Sequence, residues 1–125
     1  MNRRHCFGML ALLLSSCQPG SKLDITVKAP NSIIFTLDEA ECIENLRIIP
    51  QDGDGDTPSL WEIEAAQPKA KGETMACVKS ITFPTIPLGF ELVSPPSSAL
   101  LPGNYVVTGH AGIYWLSGDF TVEAR

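Results

Sequence analysis

Histidine is nearly missing from this chain, with two in 125 residues, and basic residues are outnumbered, nine Lys and Arg against fourteen Asp and Glu. Each shortage excludes something. A formal charge of −5 argues against nucleic acid or an anionic surface as partner, because both reward clustered Lys and Arg. His5 lies at the extreme N-terminus, so His110 is the one histidine in the body of the chain, and a nucleophile, base and orienting group cannot be assembled around it in any visible pattern. Set in Gly109-His110-Ala111-Gly112, it reads as a polar residue at a strand end. The chain also has no CxxC pair, no heptads, no internal repeat and no basic block. Its serines in Ser94-Pro95-Pro96-Ser97-Ser98 have a loop composition rather than that of a nucleophile elbow. Glu62 and Glu64 alternate with Trp61 and Ile63, as a solvent face does. The expectation is a non-catalytic protein.

What is present begins at the N-terminus. Arg3 and Arg4 precede an apolar run from Phe7 to Leu14, and Leu14-Ser15-Ser16-Cys17 closes it. Basic start, apolar centre and small-residue exit are the three regions of an export signal. Eight residues fall far short of the ~20 that cross a bilayer as a permanent helix. The four closing residues resemble a bacterial lipobox. That resemblance implies cleavage before Cys17, a diacylglycerol on its thiol and an N-acyl chain such as palmitate on its new amino terminus, with no other cofactor. Arg3-Arg4 followed by His5-Cys6 departs from the twin-arginine pattern, so ordinary unfolded export is expected. The implied division is a signal peptide over 1–16, a lipidated tether over 17–22 and one domain over 23–125. Gln18-Pro19-Gly20-Ser21-Lys22 is polar and turn-forming, as a short tether should be. Because Gln18 is not an aspartate, the resemblance favours the periplasmic face of the outer membrane over the inner membrane. Removing residues 1–16 takes away Arg3 and Arg4, which leaves seven basic and fourteen acidic residues, a mature charge of −7.

Cys42 and Cys77 are the cysteines that remain, Cys6 going with the signal. In an oxidising envelope compartment such a pair usually forms a disulfide. A redox or metal pair is the alternative, but it lacks a CxxC spacing and a nearby histidine. Closing a loop of about 36 residues would remove about 3 to 4 kcal/mol of unfolded-state freedom, which matters to a domain with a small core.

Period-two alternation dominates the chain and predicts strands. The candidates are Leu23 to Val27, Ile33 to Leu37, Leu46 to Ile49, Trp61 to Ala65, Val78 to Phe83, Phe90 to Val93, Tyr105 to Ala111 and Phe120 to Glu123. Pro, Gly, Asn and Asp clusters separate them, and the fold class expected is all-β, a single small sandwich of about seven to eight antiparallel strands. Asp38-Glu39-Ala40-Glu41 has the spacing of a capping box and predicts one helical turn at most.

Leu101-Pro102-Gly103-Asn104-Tyr105 followed by Val107 resembles the approach to the penultimate strand of immunoglobulin-like and fibronectin-like sandwiches. There a tyrosine at the strand start bonds back to the corner, and Gly118-Asp119-Phe120-Thr121-Val122 is similar to the closing strand. Neither Cys42 nor Cys77 stands two residues after Tyr105, which departs from antibody domains. The chain as a whole resembles the small lipoproteins of proteobacterial envelopes, a likeness that implies an address and no activity.

Two segments are candidates for binding. Asp52-Gly53-Asp54-Gly55-Asp56 places carboxylates at alternate positions and opens like an EF-hand loop, so Asp52, Asp54 and Asp56 are the residues calcium would use. Thr57 and Ile63 stand where that loop needs glycine and glutamate, and a solvated turn without metal is the expectation. Ile113-Tyr114-Trp115-Leu116 would be a contact loop for a protein or glycan if it formed a tip, with Tyr114 and Trp115 as its aromatic residues. If the hairpin continues through it, Trp115 belongs in the core, and that is the expectation. The functions that remain are a lipid-anchored binding or interaction module of the envelope, or a structural accessory lipoprotein in the assembly of a larger envelope complex.

Overall fold

The structure, a computed structural model, describes residues 20–54, 56–67, 77–95 and 99–124. The expectations for the signal peptide over 1–16, for Cys17, for Gln18 and Pro19, for Gly55 and for Pro96, Ser97 and Ser98 lie outside the described residues. Eight strands follow in chain order: β1 (Gly20–Ala29), β2 (Ser32–Leu37), β3 (Asn45–Pro50), β4 (Trp61–Ala65), β5 (Ser80–Phe83), β6 (Phe90–Ser94), β7 (Gly103–Ala111) and β8 (Tyr114–Val122). The described residues contain no helix. The chain is all-β, and each predicted strand overlaps an observed one.

The strands join in the order β5-β2-β1-β8-β7-β3-β4-β6 as one sheet curled into a half-barrel. The curl is visible in the packing of its ends. Trp61 on β4 and Phe83 on β5 stand near opposite ends of the strand order, yet their ring centroids are 5.1 Å apart in an edge-to-face contact. Phe35 on β2 meets Phe120 on β8 in the same manner at 5.7 Å, and Tyr105 stacks on Phe120 at 5.6 Å. Inward positions alternate as the sequence predicts: Ile33, Phe35 and Leu37 on β2, Leu46 and Ile48 on β3, Trp61 and Ile63 on β4, Ile81 and Phe83 on β5. Burying each such side chain contributes on the order of 1.5 to 3 kcal/mol. The Trp61 indole N–H is buried without a hydrogen-bond acceptor, so its contribution comes from packing alone.

Several local expectations are corrected. The pairing is not antiparallel throughout, because Gly20, Ser21 and Lys22 lie parallel to Trp115, Leu116 and Ser117 of β8, whereas the rest of β1 is antiparallel to β2. Three residues expected in the short lipidated tether are therefore in the sheet. Backbone pairing needs no apolar side chain, so hydropathy could not reveal it. Likewise β8 starts at Tyr114 rather than near Phe120, since it is bonded along its whole length to β7. Asp38 to Glu41 bends without a helical turn. Its side chains and carbonyls are taken up elsewhere: the Ser21 hydroxyl donates to Glu39 Oε2 at 2.9 Å, and Lys79 Nζ donates to the Glu39 carbonyl.

The corner expected before β7 is present. Tyr105 Oη donates to the Leu101 carbonyl at 2.6 Å, fixing the turn that feeds the strand. Burial of the ring holds the phenol above its ordinary pKa. Further along β7, a Cβ on Gly109 would meet the Asn45 carbonyl oxygen at 2.1 Å, so glycine is required there for the close approach of β3.

Cys42 and Cys77 are joined in a disulfide, with Cα atoms 5.0 Å apart. Beside it Ile43 N–H donates to the Val78 carbonyl at 2.9 Å, and Ile43 is fully buried. The bridge thus ties the 38–44 segment to the chain entering β5, a four-residue edge strand.

Candidate functional site

The register gathers several features at one end of the domain. β7 and β8 are joined there by Gly112 and Ile113, with Ala111 paired to Tyr114. Gly112 takes a φ of +61°, the conformation that the first central position of a two-residue hairpin turn favours. Its N–H donates to Glu44 Oε2 at 3.1 Å, and a Cβ added to it would run into Glu41. Ile113 at the tip is 62 % exposed and Trp115 is 49 % exposed.

The hairpin does continue through Tyr114 and Trp115, but Trp115 is not in the core. Strand parity explains the correction. Leu116, Phe120 and Val122 of β8 are buried, so alternate residues Trp115, Ser117, Asp119 and Thr121 face outward. Tyr114, half-buried, packs against the core beside the turn. Steps of two back from Phe120 reach Leu116 and leave Trp115 outside, a signal present in the sequence.

On that outer face Trp115 is opposite His110, with ring centroids 4.1 Å apart, and His110 is opposite Asn45, whose amide nitrogen lies 3.4 Å from His110 Nδ1. Glu64 and Glu91 continue the row across β4 and β6. This is an aromatic ring set at the end of a polar stripe. His110 thus meets an amide on one side and an indole on the other.

Hydrogen bonds extend the same end across the sheet. Glu44 N–H donates to the His110 carbonyl at 2.8 Å, Ala65 N–H to the Glu44 carbonyl at 2.8 Å, and Ala66 N–H to the Gly89 carbonyl at 2.8 Å. Leu88, next to Gly89, is 95 % exposed. Nothing in Pro87-Leu88-Gly89 marks it in the sequence, where it reads as turn. The first residue of β1, Gly20, is in register with Trp115 and so belongs to this end too.

The acidic loop lies at the opposite end of β3 and is self-contained. Asp54 Oδ1 accepts from Asp56 N–H at 2.9 Å and from the Thr57 hydroxyl at 3.3 Å, while Thr57 N–H donates to the Asp54 carbonyl at 3.0 Å. Arg47 holds the loop to the sheet, donating from Nε to the Ser59 hydroxyl and from Nη2 to the Thr57 carbonyl, both at 2.8 Å. Among the described residues no three histidines, cysteines or carboxylates converge as metal ligands. One Asp54 oxygen is already engaged in closing the turn, so calcium is expected to leave stability nearly unchanged. A site with its dissociation constant at the calcium concentration used would add ~0.4 kcal/mol, and several times that at a hundredfold excess. Thermal melts in millimolar calcium and magnesium decide it. A rise of several degrees in calcium alone, abolished by Asp54→Ala, would make Asp52, Asp54 and Asp56 ligands.

Compared with protein-family models, curated proteins and solved structures, the chain has no match.

Proposed function

We propose that this chain is a lipid-anchored protein of the bacterial cell envelope, held to the outer membrane through Cys17 and acting as a non-catalytic interaction module, with an immunoglobulin-like arrangement of its strands. One observation carries most of the reading. The strand that follows the lipobox starts in register with Trp115, so the anchored end of the domain and its exposed aromatic residue are the same end. The disulfide between Cys42 and Cys77 supports an oxidising compartment, as an exported chain would meet. Acidic composition supports the exclusion of nucleic acid as partner.

An interaction module and an assembly accessory differ in how long the partner stays. Extraction of envelopes in mild detergent followed by size-exclusion chromatography separates the two. The module elutes as one lipoprotein in its micelle. Elution in a large complex of fixed composition, stable to salt, would assign the chain to the accessory class instead.

A further inference from the structure

The exposed end of the domain needs an occupant, and we infer that it is the bilayer itself: Ile113, Trp115 and Leu88 seat in the interfacial region of the membrane that holds Cys17. The inference rests on lipidation of Cys17. Two residues separate Cys17 from Gly20, and the three Cα-to-Cα steps span at most about 11 Å of extended chain. Adding the ~5 Å between paired strands leaves Trp115 within roughly 16 Å of the anchored cysteine, whichever way the domain leans.

The side chains fit that depth. Ile113 is at the tip, Trp115 is two residues behind it, about 7 Å along the strand, with His110 and Asn45 beside it in the same row, and Ser117, Thr108 and Arg47 form the next outward-facing row inward. Polarity therefore rises with distance from the tip across the 5 to 10 Å that interfacial segments penetrate, with an aromatic ring at the headgroup level. Leu88 provides a second foot, across β3 and β4 from the hairpin. A protein partner would ask for some 20 to 30 contacting residues on each side, with a contiguous apolar centre. Three separated apolar side chains among polar neighbours match a lipid interface better.

Charge narrows the lipid. Glu41 and Glu44 stand beside the tip and Glu39 beside Ser21 behind it, with Lys22 and Lys79 as the cations near them among the described residues. Carboxylates there complement the ammonium of an ethanolamine headgroup and repel phosphatidylglycerol. So few side chains bind a bilayer weakly alone, but the tether holds them at an effective concentration on the order of millimolar.

The two tryptophans make a direct test. Trp61 is fully buried and Trp115 is half exposed, so lipid quenchers reach Trp115 alone. The mature lipidated chain, beginning at Cys17, is reconstituted into vesicles of phosphatidylethanolamine and phosphatidylcholine, with and without phosphatidylcholine brominated near the headgroup end of its acyl chains. A blue shift and loss of most Trp115 emission on bromination are expected, weaker when phosphatidylglycerol replaces the ethanolamine lipid. Trp115→Phe leaves only the unquenched Trp61 signal. Ile113→Ser with Leu88→Ser should keep the chain on the vesicle while Trp115 emission returns. An acyl label carried by the same samples separates the two claims. A labelled, vesicle-bound chain whose Trp115 emission ignores bromine overturns the seating and leaves the anchor standing. An unlabelled chain that stays in the aqueous phase overturns the anchor, and the seating with it.

Discussion

The double variant Cys42→Ala, Cys77→Ala is expected to lose about 3 to 4 kcal/mol of folding stability, a large share of the roughly 5 to 15 kcal/mol available to a domain of this kind. The bridged residues are 35 apart, so the unfolded chain gains the freedom of a loop that long when the bond is absent. Folded contacts depend on it as well. Fully buried Ile43 sits beside the bridge, and among the described residues its N–H bond to Val78 is one of two backbone bonds joining this segment and the end of β2 to the lead-in of β5. The second, Leu37 N–H to the Lys79 carbonyl at 2.8 Å, lies next to it. Both cysteines are replaced so that no thiol remains to mispair. At roughly 4 to 8 °C per kcal/mol for a domain near 100 residues, the melting temperature should fall by about 12 to 32 °C. Urea unfolding gives the same quantity independently. A midpoint equal to that of the oxidised wild type would show that the bridge adds nothing to stability.

Cys17→Ser is expected to move the protein from the membrane pellet to the soluble envelope fraction. A serine hydroxyl cannot form the thioether that carries the diacylglycerol, so a chain cut from its signal peptide by the ordinary export peptidase is left with no lipid. Each buried methylene of an acyl chain contributes ~0.8 kcal/mol, and one chain alone binds a bilayer marginally, so two or three chains account for stable attachment. The few side chains at the hairpin end are no substitute for them. The described residues include no helix long and apolar enough to cross a membrane, so attachment by that route is not available to them. A serine variant that has lost residues 1–16 and still stays in the pellet through an alkaline wash would contradict the lipid as the source of attachment.

Strands were the most legible part of this fold because their inward residues alternate cleanly; Ile33, Phe35 and Leu37 leave little choice of face. The disulfide was legible from compartment chemistry, and the Tyr105 corner from a local pattern around Gly103. What escaped was long-range or carried by backbone. Parallel pairing of Gly20 to Lys22 with β8 involves residues without hydrophobic signal, and it decides which end of the domain the N-terminus marks. The curl that brings Trp61 to Phe83 depends on the order of all eight strands, which single-strand periodicity does not contain. Trp115 was misplaced because an aromatic residue in a small β domain usually fills space, whereas the parity of β8 had already assigned that role to Leu116. Leu88 was missed because a turn dipeptide beside proline says nothing of which end of the sheet it will occupy.

Metabolic labelling with an alkynyl fatty acid, followed by intact-mass analysis of the purified chain, tests the lipid anchor most directly. The account predicts a labelled wild-type protein that begins at Cys17 and carries the added mass of a diacylglycerol and an N-acyl chain, with no label on Cys17→Ser. Label that persists in the serine variant, or an unmodified wild-type chain found wholly in the soluble envelope fraction, would contradict it.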